Sequence, residues 1–80
     1  MRNLKLIWDF KGPDSKKTAE HHLVHLKEYA SMKKLDFIAS GTEELSVMHN
    51  IAYAAVAETI MPQVRDDLKP HRGQLWVEKE

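Results

Sequence analysis

The chain has 80 residues, no cysteine and a formal net charge of zero, because 12 Lys and Arg balance 12 Asp and Glu. A chain of this length buries one core, so we expect a single domain over residues 1–80 that gains stability from self-association. The balanced charge argues against a nucleic-acid partner or an anionic membrane surface, and the lack of cysteine excludes disulfides and thiolate metal sites. The apolar run Leu6 to Trp8 is too short for a signal segment or a membrane span, so we predict a cytoplasmic protein without a membrane partner.

The first part of the chain predicts a strand followed by a helix. Residues 3–10 alternate in polarity, which places four apolar side chains on one side of an extended segment: Leu4, Leu6, Trp8 and Phe10. Gly12 and Pro13 then break the strand, and Asp14 or Ser15 can accept the free amide hydrogens of a starting helix. The spacing that follows predicts a helix over residues 15–32.

That helix has one apolar stripe and one polar side. At about 100° per residue, the stripe that we expect to face the sheet consists of Ala19, Leu23, Leu26 and Ala30. Three histidines divide around it. His22 lies at the edge of the stripe with Tyr29, whereas His21 and His25 lie on the far side with Val24 and Glu28.

The second part of the chain predicts two strands, a helix and a last strand. We place the second strand at residues 35–40 and the third at 47–57. Residues 41–46 between them could form a hairpin loop or continue the second strand, and we favour the loop. A helix is expected over 59–69, with Pro62 in its first turn, and a final strand over 74–78.

The element order is therefore that of the ferredoxin-like fold, with an antiparallel sheet of spatial order 4-1-3-2 and both helices on one face. In this arrangement the bulky residues of the first strand lie beside small residues of the third. The expected neighbours are Asn50, Ala52, Ala54 and Val56. Asn50 is the one polar residue in this layer.

The other side of the sheet, which we call the open face, carries no helix. We assign to it Lys5, Ile7, Asp9, His49, Ile51, Tyr53 and either Trp76 or Val77 with Leu75. A solvated sheet face is normally polar, so the apolar residues predict that a second copy covers this one, with Ile7, Ile51 and Tyr53 at the interface. A register error of one residue would exchange the two faces.

The six-element order, the chain length and the half-apolar open face resemble the dimeric α/β-barrel superfamily of small ferredoxin-like proteins. The resemblance covers the architecture of the whole chain and includes no diagnostic motif. It implies a homodimer in which two sheets pack face to face. Members of this superfamily include stress-responsive proteins and small monooxygenase-like and isomerase-like enzymes, so it implies no particular reaction.

Two groups of residues could form a catalytic site or a ligand site, and a third, described below, could bind a metal. Asp9 and His49 could act as acid or base with Tyr53 as hydrogen-bond donor, or all three could instead be polar interface residues. A small ligand could bind at the dimer seam or between the sheet and the helices, and the residues that we expect it to contact are His22, Tyr29 and Trp8.

His21 and His25 are four residues apart on a helix, a spacing that can chelate nickel or zinc. Other ligands would have to come from elsewhere in the chain or from a symmetry mate. As an alternative, both are ordinary exposed residues, and we predict no required cofactor.

Overall fold

The computed structural model describes residues 2–76. These residues form an antiparallel sheet of four strands in the order β2-β3-β1-β4, with two helices. The predicted ferredoxin-like α+β architecture is therefore confirmed. The elements in chain order are β1 (Asn3–Lys11), α1 (Ser15–Lys33), β2 (Ala39–Ser46), β3 (His49–Ala57), α2 (Met61–Leu68) and β4 (Arg72–Leu75).

The second strand is the main correction. It runs over Ala39–Ser46, so the predicted strand at 35–40 and the favoured loop at 41–46 are both wrong. Leu35 and Phe37 are apolar because they pack against the core from the connection after α1. β2 is polar because it is an edge strand with one exposed side. The turn falls at residues 47–48, so β3 begins two residues later than predicted.

The other elements lie close to their predicted positions. β1 and α1 each extend one residue beyond the predicted end, and α2 is shorter than residues 59–69. β4 begins at residue 72 rather than 74, and the predicted strand residues 77 and 78 lie outside the described part of the chain. No helix within residues 2–76 is long and apolar enough to span a membrane.

The core lies between the sheet and the helices. Register pairs Leu6 with Ala54 and Trp8 with Ala52, so large and small side chains alternate as the sequence predicts. α1 contributes Leu26, which is fully buried. The remaining members of the core cluster come from α1, β3 and α2: Ala19, Tyr29, Val56 and Val64.

The polar residue in this layer has a dedicated partner. Asn50 is 3 % exposed, and its Nδ2 donates a hydrogen bond of 2.8 Å to the hydroxyl of Ser15. Neither Asp14 nor Ser15 caps α1 with its side chain, so that expectation is wrong. For Ser15, the physical reason is that an unpaired side-chain amide of Asn50 in the core would cost more free energy than backbone amide hydrogens of α1 that water can reach. Ser15 therefore ties the start of α1 to β3.

Candidate functional site

One end of the open face is organised around Asp9. On the neighbouring strands, His49 and Arg72 lie diagonally across from Asp9 in the register, which brings both within reach of its carboxylate. His49 Nε2 lies 2.8 Å from Oδ1. The Arg72 guanidinium donates from Nε to Oδ2 at 3.0 Å and from Nη2 to Oδ1 at 3.1 Å. A single carboxylate thus joins β1, β3 and β4.

These contacts determine the charge state of the cluster. The hydrogen bond from Arg72 lowers the pKa of the Asp9 carboxyl, and His49 adds to this effect, while burial opposes it. In return, the Asp9 carboxylate raises the pKa of Arg72. Because the ionised carboxylate accepts hydrogen bonds only, the proton of a neutral His49 sits on Nε2. Its Nδ1 then carries a lone pair that can accept a proton.

His71 supports the cluster from the segment before β4. Its Nδ1 accepts a hydrogen bond of 2.8 Å from the backbone amide of Asp9. The ring also packs edge-on against Phe10. Neither His71 nor Arg72 stood out in the sequence as a partner of Asp9. The strand order places β4 beside β1, but only the register shows which of its residues reach the carboxylate.

The other end of the open face is organised around Lys5, whose side chain is only 12 % exposed. Its ammonium lies 2.9 Å from a carboxylate oxygen of Glu43 and 4.5 Å from the centre of the Tyr53 ring. Trp76 stacks on Tyr53 with ring centres 6.2 Å apart. Trp76, rather than Val77 with Leu75, therefore belongs to the open face. Val77 itself lies outside the described residues.

Tyr53 does not join the Asp9 cluster. A Cβ at Gly41 would lie 2.9 Å from the Tyr53 hydroxyl oxygen, so the ring lies closely over β2. Since β3 separates β2 from β1, the hydroxyl points away from Asp9. Of the three catalytic candidates, the fold thus brings together Asp9 and His49.

The two isoleucines of the open face are already buried within one chain. Ile7 and Ile51 are each 2 % exposed. Ile7 lies between Tyr53 and Arg72 in the register, and Ile51 lies between Asp9 and Glu43. The interface stays a prediction, but a partner would meet the aromatic and charged side chains before the isoleucines.

On the helix side, Trp8 and Tyr29 use their polar atoms to hold the end of α2. Trp8 Nε1 donates to the Leu68 carbonyl at 2.9 Å, and the Tyr29 hydroxyl donates to Asp67 at 2.6 Å. Burial, reinforced by Asp67, raises the pKa of Tyr29 to about 12. Neither group is therefore free to bind a ligand without giving up its present partner.

His22 packs beside Trp8, with ring centres 5.0 Å apart. Burial lowers the pKa of His22, and His25 and His71 lower it further. Its Nε2 is buried and has no hydrogen-bond partner within the described residues. A separate groove of about 310 Å³ lies between β1, α2 and β4 and contains none of the three predicted ligand residues. Its lining is Leu4, Leu6, Met61, Arg65, Pro70, Arg72 and Gly73.

His21 and His25 are exposed on the outer side of α1, as predicted, and their ring centres are 4.7 Å apart. Glu28 lies beside them, with Oε1 at 3.5 Å from His25 Nδ1. Within residues 2–76, no group of three or more His, Cys, Asp or Glu side chains could hold a metal ion.

Comparisons of the chain with protein-family models, with curated proteins and with solved structures find no significant match. The fold and the side-chain geometry are therefore the basis for the functional proposal.

Proposed function

We propose that the protein is a cytoplasmic homodimer in which the open faces of two copies pack together about a two-fold axis. The observation that carries this proposal is that two charged side chains assigned to the open face, Lys5 and Asp9, are paired within each chain. Lys5 pairs with Glu43, and Arg72 pairs with Asp9. When charged side chains are buried together with their partners, the interface avoids the large desolvation penalty of an unpaired charge.

The aromatic pair supports the same proposal. Tyr53 and Trp76 are partly exposed and stack on each other at the Lys5 end of the face. Aromatic residues are enriched in protein interfaces because they bury a large area with few rotatable bonds. We therefore assign the anchoring contacts to Tyr53 and Trp76 rather than to Ile7 and Ile51.

A small polar ligand would bind at the dimer seam beside Asp9 and His49. Nδ1 of His49 makes no hydrogen bond within the described residues, and the Arg72 side chain is about half exposed. Both groups could therefore meet a ligand without breaking their contacts to Asp9. The alternative location, between sheet and helices, is less favourable because Trp8 and Tyr29 already use their polar groups.

The dimer is tested by adding a charge at an exposed position of the open face. Gln74 is exposed and pairs with Lys5 across β1 and β4, so Gln74→Lys places an unpaired ammonium at the seam. We expect the dimer dissociation constant to rise by at least about 30-fold, since a stranded interface charge costs about 2 kcal/mol or more. Light scattering over a concentration series measures the change.

Thr59→Lys is the matched control, because Thr59 is exposed in the turn before α2. It should leave the dissociation constant unchanged. A wild-type chain that has the mass of a monomer at tens of micromolar would overturn the proposal. Equal masses for the two lysine variants would show that any dimer uses another surface.

A second candidate function is proton transfer in a small isomerase-like enzyme. The short distance between Asp9 and His49 favours it. Asp9 Oδ1 lies 2.8 Å from His49 Nε2, which is the geometry of a carboxylate that orients a histidine base. In this role His49 Nδ1 would accept the proton of a substrate. Nitrogen NMR of the imidazole at pH 8 should show the tautomer with the proton on Nε2, and Asp9→Asn should reduce its population. A wild-type His49 protonated on Nδ1 would exclude the base.

A further inference from the structure

The outer side of α1 presents a pair of exposed histidines. His21 and His25 are exposed, lie one helical turn apart and have ring centres 4.7 Å from each other. Imidazoles at this spacing can bind one ion together. Zinc takes four ligands in its structural sites, and no third ligand joins the pair within residues 2–76. The described chain therefore supplies two of the four ligands.

Glu28 lies beside one of these histidines. Its carboxylate lies 3.5 Å from His25 Nδ1. A carboxylate at this nitrogen favours the tautomer protonated there and leaves the Nε2 lone pair for an ion, which is the arrangement common around zinc-bound histidines. It also adds a negative charge close to the cation.

We propose that two copies of the chain bind one zinc ion between their α1 helices, with His21 and His25 of each copy as ligands. Four neutral imidazoles complete the tetrahedral shell, and the two Glu28 carboxylates balance the charge of Zn²⁺. Two further side chains on this helix, Val24 and Met32, are 52 % and 73 % exposed and line a shallow hollow with Glu28. They offer apolar area to the second copy beside the ion.

This contact is independent of the proposed open-face dimer. α1 packs on the helix side of the sheet, so its outer surface points away from the open face. The same molecule can therefore use both surfaces. Zinc should double the mass of a metal-free monomer. An open-face dimer carries two outer α1 surfaces that point in opposite directions, so zinc should link such dimers into larger, open-ended species.

The experiment uses the full chain without an affinity tag at pH 7.5. Titration with zinc chloride should bind one ion per two chains by calorimetry. Light scattering should show at least a doubled mass, and EDTA should reverse the increase. His21→Ala with His25→Ala should abolish both effects, while Lys17→Ala with Glu20→Ala, two exposed positions on the same helix, should preserve them. Glu28→Gln should weaken zinc binding about tenfold, because it removes the orienting carboxylate.

Three outcomes would overturn the proposal: one zinc per chain with unchanged mass, no zinc binding, or a zinc-dependent mass increase that survives the double histidine variant. The Gln74→Lys chain separates this proposal from the open-face dimer. If that variant is a monomer in EDTA and a dimer in zinc, the helix contact stands by itself. If it remains a monomer in zinc, the helix contact fails whatever the state of the open face.

Discussion

Replacement of Trp8 by alanine should lower the free energy of unfolding by about 3 to 5 kcal/mol, the range for large aromatic truncations in a core. Trp8 is 3 % exposed and packs in the main core cluster. The variant loses buried area, leaves a cavity and removes the donor for the Leu68 carbonyl at the end of α2. A domain of this length has about 4 to 12 kcal/mol of stability in total, so this single change should remove at least about a quarter of it.

Urea unfolding followed by circular dichroism measures this loss. Trp8→Phe is the matched control, because it keeps most of the apolar volume and removes only the indole hydrogen bond. It should cost about 1 to 2 kcal/mol. Equal losses for the two variants would mean that the bond to Leu68, rather than packing, dominates the contribution of Trp8.

Asp9→Asn should cost about 1.5 to 3 kcal/mol at pH 7, the range for hydrogen bonds to a charged group. The amide cannot accept both the Arg72 guanidinium and the His49 ring as the carboxylate does. The loss should remove the side-chain link between β4, β1 and β3 on the open face, while the backbone pairing of β4 with β1 remains. Asp36→Asn, an exposed change in the connection after α1, should cost less than about 0.5 kcal/mol.

The pH dependence follows from the lowered pKa of Asp9. A carboxyl whose pKa is lower in the folded state contributes stability above its unfolded pKa and loses it as the pH falls through the folded value. The difference between wild type and Asp9→Asn should therefore be full at pH 7 and shrink below pH 3.8, the ordinary value for this carboxyl. A difference that is unchanged at pH 2 would show that charge pairing is not its cause.

The elements with strong local periodicity could be predicted from the sequence. The alternation in β1 and the apolar stripe of α1 depend on neighbours within one segment, and both elements lie within one residue of their predicted ends. β2 could not be predicted in this way. Its polar residues reflect its place at the sheet edge, while the apolar Leu35 and Phe37 lie before it and pack on a core built by other elements.

The candidate site was only partly predictable for the same reason. Strand alternation placed Asp9 and His49 on one face, and their contact confirms that placement. Arg72 was not recognised as the second partner of Asp9, since the pairing of β4 with β1 joins residues far apart in the chain. Tyr53 was placed on the correct face, but the absence of a side chain at Gly41 lets its ring lie over β2.

By itself, the sequence determined which side of each periodic element is apolar, because that property follows from the 3.6- and 2-residue repeats of the backbone. Tertiary structure decided what each side contacts. His22 faces the core edge, while His21 and His25 form an exposed pair with Glu28 nearby. Ile7 and Ile51 look like interface residues in the sequence, yet neighbouring strands bury them within one chain, because burial depends on side chains that only the folded sheet brings together.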